Sequence, residues 1–81
     1  MPQFHFDYRD GDGSLERDEE GIEFPSLEAA CIDARLAIID MSAEARRKGR
    51  TLSGHEFEIR DASGRTVRKL PFNDVLNQTD C

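Results

Sequence analysis

Residues 25–49 read PSLEAACIDARLAIIDMSAEARRKG, and this stretch decides the fold because it predicts one long helix. Ser26 can accept hydrogen bonds from the first free backbone N–H groups, and Glu28 suits the positive end of the helix dipole. From there to Lys48 the chain has no Gly or Pro and is rich in good helix formers. Gly49 supplies the left-handed residue that often ends a helix. We therefore predict a helix of about 22 residues that begins just after Ser26.

Two stretches before the helix show the alternation of a half-buried strand. Residues 3–9 place Phe4, Phe6 and Tyr8 on one side and polar residues on the other. Residues 21–24 repeat the pattern over a shorter length. Between them, residues 10–20 contain repeated Asp-Gly turn signals and an acidic run, and they predict a loop.

Two more strands are predicted after the helix. Residues 54–61 alternate, and the Asp-Ala-Ser-Gly sequence that follows is typical of a type I hairpin turn. Residues 66–70 return as the partner strand. Val67 and Leu70 cannot share a face of that strand without a bulge, so its register stays open.

The element order is therefore β-β-α-β-β, and we predict an α+β protein. In this two-layer fold, a short and mainly antiparallel sheet carries the long helix on one face. The other face is expected to be in contact with water, since it carries His5, Asp7, Glu56, Glu58 and Arg60. We expect residues 1–81 to form a single small domain, with residues 74–81 as a frayed tail.

The helix carries two apolar stripes when its residues are placed at about 100° each. The first stripe is wide enough to cover the sheet and consists of Leu27, Cys31, Ala34, Ile38, Met41 and Ala45. The second, which we call the outer stripe, lies about 150° away and consists of Ile32, Leu36, Ile39 and Ala43. One small sheet cannot cover both.

Three surroundings of the outer stripe are compatible with the sequence. The C-terminal segment could fold over it through Val75 and Leu76, a second subunit could cover it, or it could stay exposed. A row of Ile and Leu in water favours association, and a chain of 81 residues has a marginal core that a partner would reinforce. We therefore expect a homodimer that pairs helix to helix across a two-fold axis.

No catalytic residue, cofactor site or metal site is predicted. The acidic loop at 10–20 fails the spacing of a calcium-binding EF-hand, which needs Gly at position 6 and Glu at position 12. Counting from Asp10, those positions hold Leu15 and Gly21. His5 and His55 have no accompanying nucleophile or glycine-rich loop, so we expect them to be surface histidines and the protein not to be an enzyme.

Charge is distributed unevenly along the chain. Residues 1–45 hold twelve acidic against three basic residues, whereas residues 46–69 hold eight basic against three acidic ones. The strongest concentration is a basic patch of Arg46, Arg47, Lys48 and Arg50. A nucleic-acid-binding or antitoxin-like regulator that uses residues 46–69 is the alternative function, although the net charge of −6 disfavours nucleic-acid binding.

The expected compartment is the cytoplasm. The chain begins without a basic and apolar leader, and its apolar runs are too short to cross a membrane. With only two cysteines, Cys31 and Cys81, no disulfide framework or zinc spacing is present.

Four short stretches form a familiar pattern: Phe4–Asp7, the Arg-Asp-Gly-Asp of residues 9–12, the DEEGIEFPSLEAA of residues 18–30, and Ile59–Asp61 with Gly64–Val67. In these stretches the sequence resembles a family of small uncharacterised proteins found in rhizobia and other alphaproteobacteria. The resemblance implies no activity and no site residues. A weaker similarity to antitoxins of the HicB type is limited to residues 27–30. This similarity concerns the fold alone. The residues themselves lead us to expect a small binding, adaptor or regulatory protein that acts through protein–protein contacts.

Overall fold

One antiparallel sheet carries a long helix on one of its faces. The computed structural model describes residues 1–76. The elements in chain order are β1 (Gln3–Arg9), β2 (Leu15–Glu16), β3 (Ile22–Glu23), α1 (Leu27–Arg47), β4 (Glu56–Arg60), β5 (Thr66–Pro71) and α2 (Phe72–Leu76). The fold is α+β, as the sequence predicts.

Helix α1 begins and ends close to the predicted positions. The Ser26 side chain accepts a hydrogen bond from the backbone N–H of Ala29 at 3.1 Å, which caps the first turn. At the other end the Lys48 N–H reaches the Ala45 carbonyl, and Gly49 adopts a φ of 73°. That left-handed conformation is easy only for glycine, so the helix ends there.

Strand β1 is the centre of the sheet, whose order is β2-β1-β4-β5. β4 pairs with β1 along one edge, from His5 to Arg9. The other edge of β1 is shared: β2 pairs at its C-terminal end and β3 at its N-terminal end. The sequence predicts β3 but not β2, which lies inside the segment expected to be a loop.

Strand β5 contains the bulge that its sequence requires. Arg60 pairs with Thr66 while the preceding Ile59 pairs with Arg68, so Val67 is the extra residue. After the bulge, the side chains of β5 alternate between the sheet faces in the opposite phase, so Leu70 points into the core and is buried.

The core lies between the sheet and the first stripe of α1. Ala30, Cys31, Ala34 and Ile38 have no exposed surface and pack with residues of three strands and α2, namely Phe4, Ile59, Leu70, Phe72 and Val75. The two alanines let the helix approach the sheet closely. An aromatic cluster extends the core, with ring centroids of Phe57 and Phe72 5.3 Å apart.

The end of the described chain differs from the expected frayed tail. Residues 74–76 belong to α2, and Val75 is only 4% exposed because it packs into the core beside Phe72. Helix α2 has only five residues, too few to show helical periodicity, so the sequence did not show that Val75 enters the core. Residues 77–81, the rest of the predicted tail, lie outside the described part of the chain.

The expectation of a water-facing polar sheet face is wrong. Asp7 is 2% exposed and Glu58 8% exposed, and their three predicted neighbours are half-buried. The physical reason is mutual pairing: Arg60 binds Asp7, and Arg9 binds Glu58, so long charged side chains cover one another.

Candidate functional site

The outward face of α1 carries the most prominent apolar surface of the described chain. Ile32 is 57% exposed, Leu36 58% and Ile39 47%, and Ala43 is half-buried. The first three stand on consecutive turns of one helix face, since they are separated by four and three residues. The outer stripe predicted from the sequence is therefore a continuous exposed ridge of large aliphatic side chains.

Helix α2 does not cover this ridge. Val75, one of the two residues considered for that role, is buried in the core on the sheet side of α1. Leu76, the other, is itself 45% exposed. Within residues 1–76, the C-terminal segment therefore leaves the outer stripe open.

The sheet edges are poor sites for adding a strand from another molecule. Strand β5 is an edge strand, but it carries a bulge at Val67, the cationic Arg68 and Lys69, and Pro71 at its end. Each of these features blocks or disfavours pairing. The surface that β5 offers is therefore less suited to association than the outer stripe.

The opposite edge of β1 is closed by a side chain where β2 and β3 leave a gap. The Asp18 carboxylate accepts a hydrogen bond from the Phe6 N–H at 3.1 Å, in the place of a strand carbonyl. Further N–H groups of Glu20 and Gly21 donate to the same carboxylate. Burial raises the pKa of Asp18, but these donors outweigh it and hold the pKa below its ordinary value.

A charge network links this closure to the sheet face. Arg60 donates to both carboxylate oxygens of Asp7 and to the carbonyl of Asp18. The Asp18 N–H in turn donates to Asp7 at 3.0 Å. Burial raises the pKa of Asp7, but the hydrogen bonds from Arg60 and Asp18 prevail and the pKa lies below its ordinary value. Asp7 and Arg60, which the sequence predicts to be surface charges, are therefore structural partners.

Both histidines are engaged in structural contacts. His5 Nδ1 lies 2.8 Å from the Asp18 carbonyl oxygen. His55 Nδ1 is hydrogen-bonded to the Tyr8 hydroxyl, and its ring packs against Tyr8 and Phe72. Burial, together with the nearby carboxylates of Asp10 and Glu16, raises the pKa of Tyr8 above its ordinary value. These contacts attach two loop segments to β1: the one that contains Asp18 and the one that contains His55.

The acidic turn at 10–14 uses its carboxylates to fix its own backbone. Asp10 Oδ1 accepts from the N–H groups of Asp12 and Ser14 at 3.1 Å, and Asp12 Oδ1 accepts from Ser14 at 2.9 Å. A search of the described residues finds no group of three or more His, Cys, Asp or Glu arranged to hold a metal ion.

The structure divides the basic residues of 46–69 among different roles. Arg47 and Lys48 form ion pairs with Glu44 on the last turns of α1, and Arg60 is withdrawn into the network with Asp7. Arg46 and Arg50 are exposed beside them. The same end of α1 borders an open groove of about 610 Å³, whose lining residues are Asp40, Met41, Ala43, Glu44, Ala45, Arg47, Lys48, Arg50 and Leu52.

Together, the fold and its surfaces define a small α+β protein whose long helix presents an aliphatic face that no other residue of 1–76 covers. The sequence profile of the family described as "Domain of unknown function (DUF6894)" matches residues 3–73, and the chain belongs to this family. Comparisons with curated proteins and with solved structures found no match. Among the described residues, no helix is long and apolar enough to cross a membrane.

Proposed function

We propose that this protein is a binding module that works as a homodimer, with the outer stripe of α1 as its contact surface. The observation that carries the proposal is the exposure of Ile32, Leu36 and Ile39 on one helix face. In this proposal the dimer is the form that acts as a cytoplasmic adaptor or regulator, and its remaining surfaces are available to a protein partner.

The gain from covering this ridge is large for a chain of this size. Complete burial of a Leu or Ile side chain contributes about 1.5–3 kcal/mol. These three side chains are about half exposed, so covering each would contribute roughly 1 kcal/mol. Two-fold symmetry doubles the number of side chains buried. The roughly 3 kcal/mol contributed by each chain is a substantial fraction of the ~5 kcal/mol at the lower end of the usual stability of small domains.

The competing surfaces support the same choice. The edge of β5 is protected from strand pairing by its bulge, its cations and Pro71. The edge of β1 that does not pair with β4 is already covered by β2, Asp18 and β3. The other exposed Leu and Ile residues of the described chain, Leu15, Ile22 and Leu76, stand singly on short elements. Isolated apolar residues are common on protein surfaces, whereas a continuous row favours association.

The test is the oligomeric state of the wild type and of Leu36→Glu/Ile39→Glu, measured by sedimentation velocity at micromolar concentrations. We expect a dimer for the wild type and a monomer for the variant, because two charges per chain would enter an apolar contact. Ile22→Glu places a charge on another exposed aliphatic residue and should leave the dimer intact. Far-UV circular dichroism checks that each variant is folded.

Two results would overturn the proposal. A wild type that stays monomeric throughout the range would show that the outer stripe does not pair with a second copy. A Leu36→Glu/Ile39→Glu variant that remains dimeric would place the interface elsewhere on the molecule.

A further inference from the structure

The outer stripe is nearly symmetric about its own midpoint, between residues 37 and 38. Leu36 and Ile39 lie at equal distances on either side of that point, and so do Ile32 and Ala43. If two copies of α1 pair antiparallel with the two-fold axis at this point, Leu36 faces the partner's Ile39 and Ile32 faces the partner's Ala43. A large side chain is then matched with a small one at both ends, as interdigitated packing requires.

Two of the charges beside the stripe, one at each end of the helix, are matched in the same register. Glu28 and Arg46 share one flank of the helix, each about 50° from the centre of the outer stripe. Both are exposed, one near each end of α1. In an antiparallel pair equal flanks meet, so Glu28 of each copy lies opposite the partner's Arg46. The symmetry produces two such ion pairs, one at each end of the contact.

A parallel pair has the opposite electrostatics. It would bring together the two basic patches, each defined by Arg46, Arg47, Lys48 and Arg50. The macrodipoles of the two helices would also be aligned side by side, whereas antiparallel helices oppose them. An antiparallel pair brings each basic helix end to the partner's acidic first turn.

The other flank of the stripe does not reverse this preference. Asp33 and Asp40 lie about 70–90° from the centre of the stripe, and both are exposed. In the antiparallel register they approach their counterparts only at the rim of the contact. Exposed charges at a rim are hydrated and screened, so their repulsion is weak.

We infer that two copies of this chain pair through α1 in an antiparallel arrangement, with Glu28 facing the partner's Arg46. The inference rests on the proposed homodimer and adds its orientation, its register and the pair of residues that select it. The same pair favours a second copy of this chain as the occupant of the stripe, because that copy presents the complementary charge at both ends.

Engineered disulfides test the orientation. Ile32→Cys and Ala43→Cys chains, each in a Cys81→Ser background, are prepared separately and then mixed and oxidised. In the antiparallel register, residue 32 of one chain faces residue 43 of the other, so cross-linked dimers form in the mixture. Residues 43 of the two chains are then about 16 Å apart along the helix, beyond the roughly 4–7 Å between Cα atoms that a disulfide spans. The single variants alone should therefore not cross-link.

A charge exchange tests the register independently. Glu28→Arg and Arg46→Glu should each weaken dimerisation, by roughly two- to tenfold for two lost surface ion pairs. The double variant restores complementarity and should recover most of the wild-type affinity. Lys69→Glu, on the exposed part of β5, makes a matching charge change away from α1 and should have no effect on affinity.

The outcomes separate this inference from the function that it rests on. A dimer in which each cysteine variant cross-links with itself is parallel; it overturns the inference and leaves the homodimer standing. A dimer that Glu28→Arg weakens but the double variant does not restore also overturns the Glu28–Arg46 pairing. A monomeric wild type overturns both.

Discussion

Arg60 Nε donates a hydrogen bond to Asp7 Oδ2 at 2.6 Å, joining neighbouring strands β4 and β1. The Asp7 side chain is 2% exposed and that of Arg60 16% exposed, so this ion pair is largely removed from water. Arg60 also donates to the Asp18 carbonyl, which ties the returning segment between β2 and β3 to the sheet. One charged pair therefore fixes three parts of the chain.

Replacement of Asp7 by Asn should destabilise the protein by about 2–3 kcal/mol, less than the ~3–5 kcal/mol typical of fully buried pairs because Arg60 keeps some contact with water. The loss arises because Arg60 is left partly buried without its counter-charge. Urea unfolding followed by circular dichroism measures it. Glu58→Gln breaks the pair with Arg9 and should cost less than about 1 kcal/mol, because the Arg9 side chain that is left unpaired is 38% exposed and stays hydrated. Equal losses for the two variants would contradict the role given to Asp7.

Acid should remove part of the stability through the same network. The pKa values of Asp7 and Asp18 lie below their ordinary value of 3.8 in the folded protein. Their contribution is therefore complete above pH 3.8 and is lost as the pH falls through the lower pKa values of the folded state, since the unfolded chain takes up protons first. Stability measured between pH 5 and pH 2 should decrease more steeply for the wild type than for Asp7→Asn. Asp33→Asn, on the exposed side of α1, should follow the wild type; the same slope in all three would refute the assignment.

Gly21→Ala should destabilise more than Gly13→Ala. Both glycines have positive φ, 75° and 94°, where alanine costs about 1–2 kcal/mol. A Cβ at Gly21 would in addition lie 2.9 Å from His5 Cε1, and that ring is held by its contact with Asp18, whereas a Cβ at Gly13 meets nothing within 4 Å. We expect the extra cost to be on the order of 1 kcal/mol, as for other forced contacts in packed regions. Chemical denaturation of both variants checks it, and equal losses would show that the site around Gly21 yields freely.

Nucleic acid should not bind appreciably. Arg60 is committed to Asp7, while Arg47 and Lys48 pair with Glu44, so residues 46–69 offer less free positive charge than their sequence suggests. Fluorescence anisotropy with labelled duplex DNA and single-stranded RNA at ~50 mM salt, where phosphate contacts are strong, should show no saturable binding. Saturable binding that Arg46→Glu/Arg47→Glu abolishes and higher salt weakens would favour the alternative regulator.

The longer helix and strands could be predicted from the sequence, whereas the short strand β2 and the contacts of the loop at 10–20 could not. Helix α1, β1 and the bulge in β5 follow from local signals: the Ser26 cap, strict alternation, and the conflict between Val67 and Leu70. Strand β2 has only two residues, too few for a period to appear. The role of Asp18 at the edge of β1 was not predicted. A side chain that takes the place of a strand partner has no sequence pattern of its own, and Asp18 stands among other acidic residues.

The sequence by itself determined where the helix begins and ends, which of its faces meets the sheet, and that a second aliphatic stripe exists. These properties depend on capping, periodicity and residue type, all of which act over a few neighbouring residues. Only the tertiary structure decided that Val75 enters the core instead of covering that stripe, and that Asp7, Asp18 and Arg60 form one network. Those contacts join residues up to 53 positions apart, and which of many possible charge partners meet depends on how the strands are arranged in space.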